Sequence, residues 1–175
     1  MKRRVMMMVM AGVIIGAWMT NVCAETGKAL IQPTSEGSSV TGSATLTDTP
    51  AGLQVAVQVT GVPAGAHGLH IHQYGGCGDA GKAAGGHYNP VGAPHGFLPA
   101  DGAAKAHAGD MGNIEVGPDG SGSATVVLPG VTLGAGPHSV GGRAIILHEK
   151  TDDFGQPTGN AGGRIGCGPI LISGE

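Results

Sequence analysis

Six of the chain's eight histidines, His67, His70, His72, His87, His95 and His107, fall in one stretch that closes on Asp110. Imidazole nitrogen and carboxylate oxygen are ligand atoms for zinc, and imidazole also suits copper(II), so this composition points to metal chemistry. His70 and His72 are two residues apart. On a strand they would share a face, with α-carbons roughly 6.5–7 Å apart, and could converge on one ion. His67 has the opposite parity and reads as a structural histidine bonding at a turn. His87, His95 and His107 with Asp110 suit a closed tetrahedral zinc site. The bland alternative is a set of solvated loop histidines. His148 is either a further ligand or a satisfied histidine at a strand end. Asp152 either orients a ligand histidine from behind or is a solvated acid beside Asp153. Arg164 over an open metal position would attract and orient a small anion; otherwise it is a surface or carbonyl-binding arginine. His138, after Gly136 and Pro137, reads as structural or surface.

Most of the segment from His72 to Asp110 is Gly, Ala, Pro and polar residues. A compact domain rarely carries so long a run unless something other than a core fixes it, and metal ions or a disulfide would do so. The rest of the chain supplies the frame. It has 175 residues, of which 35 are glycine, 3% aromatic and 12% charged. That length suits one domain, and that composition suits short strands, tight turns and long loops. Leu53 to Thr60 alternates cleanly, with Leu53, Val55, Val57 and Val59 on one side, as in a half-buried antiparallel strand. Other strands are expected at Lys28–Gln32, Val40–Thr47, His67–Tyr74, Asn113–Val116, Ser123–Leu128, Val140–His148 and Arg164–Ile172. Gly117-Pro118-Asp119-Gly120 marks a hairpin. The expectation is all-β: a Greek-key sandwich or flattened barrel of about eight antiparallel strands, two long functional loops and no mature helix.

The N-terminus reads as an export signal. Lys2, Arg3 and Arg4 precede an apolar Val5–Met19, and Val22-Cys23-Ala24 offers small residues for cleavage after Ala24. Residues 1–24 would be removed, leaving one domain over 25–175. A retained membrane anchor and lipidation at Cys23 are the alternatives. Cleavage leaves Cys77 and Cys167, a pair that makes one disulfide in an oxidising compartment. It also removes three positive charges and no negative ones, taking the formal net charge from −3 to −6. Such an acidic protein is a poor nucleic-acid binder, and after cleavage no stable membrane association is expected. The localisation expected is periplasmic or otherwise exported.

GAHGLHIH, GGHYNP, HAGDMGNI, LHEKTDD and TGNAGGRIGCG together resemble the copper/zinc superoxide dismutase family, over essentially the whole mature chain. The position of Cys77, five residues after His72, is closer to exported bacterial members. The resemblance implies copper at His70, His72, His87 and His148, and zinc at His87, His95, His107 and Asp110. His87 would then be an imidazolate shared by both metals. It also implies that Asp152 links His70 to His95 from behind, that Arg164 guides the substrate, and that Cys77 and Cys167 form the intrasubunit disulfide. The implied reaction converts superoxide to dioxygen and hydrogen peroxide by a Cu(II)/Cu(I) cycle, with His87 and Arg164 as catalytic residues. The other function class is a non-catalytic exported copper-binding or copper-donor protein. Related exported enzymes are monomers or dimers, so a homodimer stays open. Three departures from the better-known cytosolic members stand out. Glu149 to Gly163 is short and lacks their paired glutamates, Pro157 stands where they often have a lysine, and His95 to His107 is longer.

Overall fold

A computed structural model describes residues 24–173. Apart from Ala24, the expected signal segment lies outside the described residues. The strands are β1 (Thr26–Pro33), β2 (Thr41–Thr49), β3 (Gly52–Thr60), β4 (Gly65–His72), β5 (Asp110–Val116), β6 (Gly122–Leu128), β7 (Ala144–His148), β8 (Arg164–Pro169) and β9 (Leu171–Ser173). Around the sheet they run β2-β3-β6-β5-β4-β7-β8-β1, and β1 pairs back onto β2. The result is a closed antiparallel barrel of eight strands, with β9 as an extra strand on β1. Closure removes the open edges that a sheet of this size would otherwise present.

Side-chain alternation fixes what lies inside. Along β3, Leu53, Val55, Val57 and Val59 are buried while Gln54, Gln58 and Thr60 are exposed, as the period of two requires. They join Ile31, Leu46, Leu69, Ile71, Ile114, Leu128, Ile145 and Leu147 in one core. Each such side chain contributes roughly 1.5–3 kcal/mol by leaving water. A charge at Ile145, fully buried, would sit unpaired in that core and break the barrel.

Three local differences from expectation stand out. The last strand is broken at Ile170, whose N–H goes to the Arg143 carbonyl (2.7 Å), so β8 and β9 pair with different ends of β1. The β5–β6 hairpin pairs only at Val116 and Gly122, whereas the other edge of β6 runs along β3 over seven positions. Two short helical turns also occur, a 3₁₀ turn at Lys82–Ala84 and α1 at Leu98–Asp101. In α1, Pro99 occupies the first turn, where no amide partner is needed, and Asp101 accepts from the Phe97 N–H (2.7 Å).

β7 is buried on both faces. Ile145 and Leu147 belong to the barrel core, whereas Ala144 and Ile146 pack outward with Ala84, Cys167 and Cys77. Cys77 and Cys167 are disulfide-bonded, with α-carbons 5.7 Å apart across 90 residues of sequence. In the chain-entropy model a loop of that size contributes about 4–5 kcal/mol. The bond pins the loop after β4 onto the outer face of β7 and β8. Next to it, on the same outer face, lie the histidines.

Candidate metal centre

β4 sets the site. Leu69 and Ile71 face the core, so His70 and His72 face outward by parity, yet they are only 0% and 1% exposed because loops cover them. β7 pairs alongside, with His70 opposite Ile146 and His72 opposite Ala144. Its last residue, His148, therefore joins the same outer face. The covering loop is stitched to β4 by backbone bonds: Tyr88 N–H to Ile71 O (2.8 Å), Ile71 N–H to Gly109 O (2.9 Å), and Gln73 N–H to Gly86 O (2.9 Å). This stitching carries His87 against His72, to which it is bridged. Asp110 begins β5 directly opposite His70.

Three groups of possible ligand atoms result, of which the third, His70 with His95 and Asp152, links the other two. His70, His72, His87 and His148 form the first, and His87, His95, His107 and Asp110 the second; within each, one atom per residue lies within 4.8 Å of the others. All seven residues are buried. In the second group, Asp110 Oδ1 is 3.0 Å from His87 Nδ1 and 3.1 Å from His107 Nδ1, and those two nitrogens are 3.4 Å apart. His87 thus turns Nδ1 to the second group and has Nε2 left for the first. In the first group, His72 Nε2 and His148 Nε2 are 3.3 Å apart, and His72 Nδ1–H donates to the Gly85 carbonyl (2.9 Å). Nitrogens about 2.0–2.1 Å from a tetrahedral ion are about 3.3–3.4 Å from each other, which is the spacing seen. A copper/zinc superoxide dismutase family model matches residues 40–170. The chain belongs to that family. A solved structure described as that of the clock protein EA4 is similar at 34% sequence identity. That match covers 86% of this chain and 96% of the other, with a TM-score of 0.75.

The family is one that binds copper and zinc, and the donor set here suits both ions. Asp152 gives the sharpest test of fit. It is 1% exposed, and His70 Nε2–H donates to its Oδ2 (2.8 Å) while His95 Nε2–H reaches both oxygens (2.9 and 3.0 Å). Both rings are thereby fixed with Nδ1 left over. These two Nδ1 atoms, one per group, are the buried side-chain polar atoms without a hydrogen-bond partner among the described residues. That of His95 lies 2.9 Å from Asp110 Oδ2, a close ionic approach without hydrogen-bond alignment. Buried unpartnered nitrogens are costly unless an ion takes them. A carboxylate behind a ligand histidine is the arrangement expected of a metal's outer shell.

Electrostatics divide the groups. Burial pushes His72 down to about 2, with His87, Arg164 and His148 repelling its charged form. Burial likewise takes His148 to about 3, with His70 and His87 adding to it. His87 is lowered to about 4 by burial, against the pull of Asp110. His95 goes the other way: burial opposes its charge, but the adjoining carboxylates of Asp110 and Asp152 outweigh it and raise the ring to about 9. Despite their burial, Asp110 is held far below the carboxylate range by His107, His87 and His95, and Asp152 by His70 and His95.

Arg164 opens β8 opposite His148. Its guanidinium donates to the carbonyls of Gly81 and Gly85 (both 2.6 Å), so the disulfide-bonded loop aims it. His67 belongs to neither group; it lies within β4, with its ring nitrogens 2.9 Å from the His148 and Pro63 carbonyls, a structural place that ties the strand to the turn before it. His138 is half-buried and outside both groups. Sequence reasoning missed the carboxamides. Asn113 pairs with both main-chain groups of Asp152 (2.7 and 3.0 Å), and Gln156 with both of His95 (3.0 and 2.8 Å). It also missed Gly159 (φ 75), where a Cβ would fall on Asp152 and His95 Nε2. Asn113 and Gln156 act on residues 39 and 61 positions away, and nothing in local spacing marks them.

Proposed function

We propose that this family member is a superoxide dismutase, with copper at His70, His72, His87 and His148 and zinc at His87, His95, His107 and Asp110. The observation that carries this reading is His87, a member of both groups, whose Nδ1 is turned to the second. Bound copper supplies a one-electron couple, oxidising one superoxide to dioxygen and, with two protons, reducing the next to hydrogen peroxide. The chain's residues do the rest. Arg164, fixed by two carbonyls, offers a positive charge that attracts and orients the anion. His87, with Nδ1 committed to the second group, has Nε2 as the atom that takes up or delivers a proton. Asp152 keeps the rings of His70 and His95 from turning.

The mature domain, residues 25–175, works in a periplasm or another exported compartment. Support comes from the basic and apolar N-terminal pattern and from the Cys77–Cys167 bond, which suits an oxidising compartment. The decisive experiment loads the protein with both ions, measures metal content, and follows superoxide decay by stopped flow. Two metals per chain with catalytic decay are expected. Two metals without catalysis would favour the second reading, a non-catalytic copper-binding protein. That reading has one point in its favour: the similar solved structure is named for a clock protein.

A further inference from the structure

His95 stands on the least supported backbone of the site. It lies between Pro94 and Gly96, outside every strand and helix, yet is 3% exposed. A buried loop residue needs partners for its own N–H and C=O. Neither goes to another main-chain group. Gln156 supplies both: its Oε1 accepts from the His95 N–H (3.0 Å) and its Nε2 donates to the His95 carbonyl (2.8 Å). The pair is reciprocal, like one rung of a strand ladder, and spans 61 residues of sequence.

The loop that delivers Gln156 is built for this. Its stem is closed by Glu149 N–H to Gly163 O (2.8 Å) and Lys150 N–H to Ala161 O (2.8 Å). Beyond the stem, alternate residues meet His95. Asp152 takes the ring Nε2. Phe154, in left-handed backbone (φ 58), lays its ring nearly parallel to the imidazole, with centroids 6.4 Å apart. Its N–H also holds Asp152 Oδ1 (2.8 Å). Gln156 takes the main chain. The loop's root is tied to the barrel through Asn113 of β5, which grips the Asp152 main chain in the same two-way manner.

We propose that Gln156 is a positioning residue for the second metal group: it fixes the His95 main chain so that Nδ1 stays aimed at the ion, and thereby couples seating of the 149–163 loop to metal retention. This rests on the assignment of zinc to His87, His95, His107 and Asp110. Gln156 itself touches no donor atom of that group.

The test uses the mature, disulfide-bonded protein carrying copper and zinc. Zinc release to a chromogenic chelator is timed for wild type, Gln156→Ala, Gln156→Glu and Thr158→Ala. Thr158 is an exposed residue of the same loop. Loss of an outer-shell contact should speed release about tenfold or more in Gln156→Ala. Gln156→Glu keeps the acceptor but turns an oxygen toward the His95 carbonyl, and should also release faster. Thr158→Ala should match wild type. With Co²⁺ in place of zinc, the visible absorption bands should shift in both Gln156 variants, while the copper EPR spectrum stays that of wild type. Release within twofold of wild type in Gln156→Ala, or equal acceleration in Thr158→Ala, overturns the proposal. A wild-type protein that takes up no second metal overturns the underlying zinc assignment instead, and metal analysis separates that outcome from the others.

Discussion

The two ligand groups share His87 and differ in almost everything else. The first draws His70, His72 and His148 from the paired strands β4 and β7 and contains no carboxylate. The second draws His95 and His107 from a long loop and is closed by Asp110. Burial keeps His72 and His148 neutral with no carboxylate beside them, and outweighs the one carboxylate, Asp110, beside His87. Burial between two carboxylates keeps a proton on His95. Histidine alone therefore does not decide what a buried cluster does. A neutral set beside Arg164 gains net positive charge when a divalent ion enters, which favours an incoming anion. A set with its own carboxylate cancels much of that charge and suits an ion that only holds structure.

The largest effect expected from this contrast is the pH profile of the metal-free, disulfide-bonded protein. In the unfolded chain these histidines titrate near 6.5. The folded values of His72, His148 and His87 lie below that, so under pH 6.5 the unfolded state binds protons that the folded state refuses. Stability should fall with acid, at a slope approaching about three protons near pH 4.5. His95 has the opposite sign: its contribution is complete below 6.5 and is lost as pH rises through about 9. Stability should thus peak near about pH 7, where the four unfolded rings together hold no more than the one proton kept by folded His95, with the alkaline limb about one proton steep. Urea unfolding from pH 4.5 to 9.5 measures both limbs. A profile flat across this range would erase the distinction between the groups.

Removing the shared ring attacks both groups together. His87→Ala should lower superoxide turnover at least about a hundredfold and leave neither ion at full occupancy, as read by metal analysis. Two fully bound, electronically coupled metals in that variant would show that His87 is not shared. Asp110→Asn, by contrast, should act on one side. It takes the closing oxygen from the second group, so affinity there should drop about 10- to 100-fold. Competition with a chelator should find copper retention changed by less than about threefold.

These contrasts were unevenly legible in the sequence. The strand parity of Leu53–Thr60 and the His70/His72 pair came directly from a period of two. The all-β architecture followed from glycine-rich turns between short apolar runs. The second ligand group was readable as a set because few other residues in its segment could do chemistry. The sharing of His87 was not readable from spacing; it followed from the family resemblance, and in the structure it depends on which nitrogen faces which group. Closure of β1 onto β2, the break at Ile170 and the grips of Asn113 and Gln156 are contacts between distant segments. Short-range pattern carries no trace of them, since an amide that holds a buried main chain has the same local sequence as one in water.

The smallest effect isolates the charge difference from the ligands themselves. Arg164 reaches the first group's surroundings without belonging to either group, and the Gly81 and Gly85 carbonyls fix its guanidinium. Arg164→Ala should leave both metals bound and lower the rate about tenfold, the scale of electrostatic steering by one well-placed charge. Salt separates steering from a packing defect. Screening grows as the Debye length contracts from about 10 Å at 0.1 M to about 3 Å at 1 M. The wild-type rate should therefore fall with added salt, while the variant, having lost the charge that salt screens, should respond less. Arg164→Lys should recover part of the rate and most of the salt slope, because charge is kept while the two-carbonyl grip is weakened. Equal salt slopes in all three proteins would mean that the neutral first group draws its anion without Arg164, and that the acidic chain's field is shaped by some other cation.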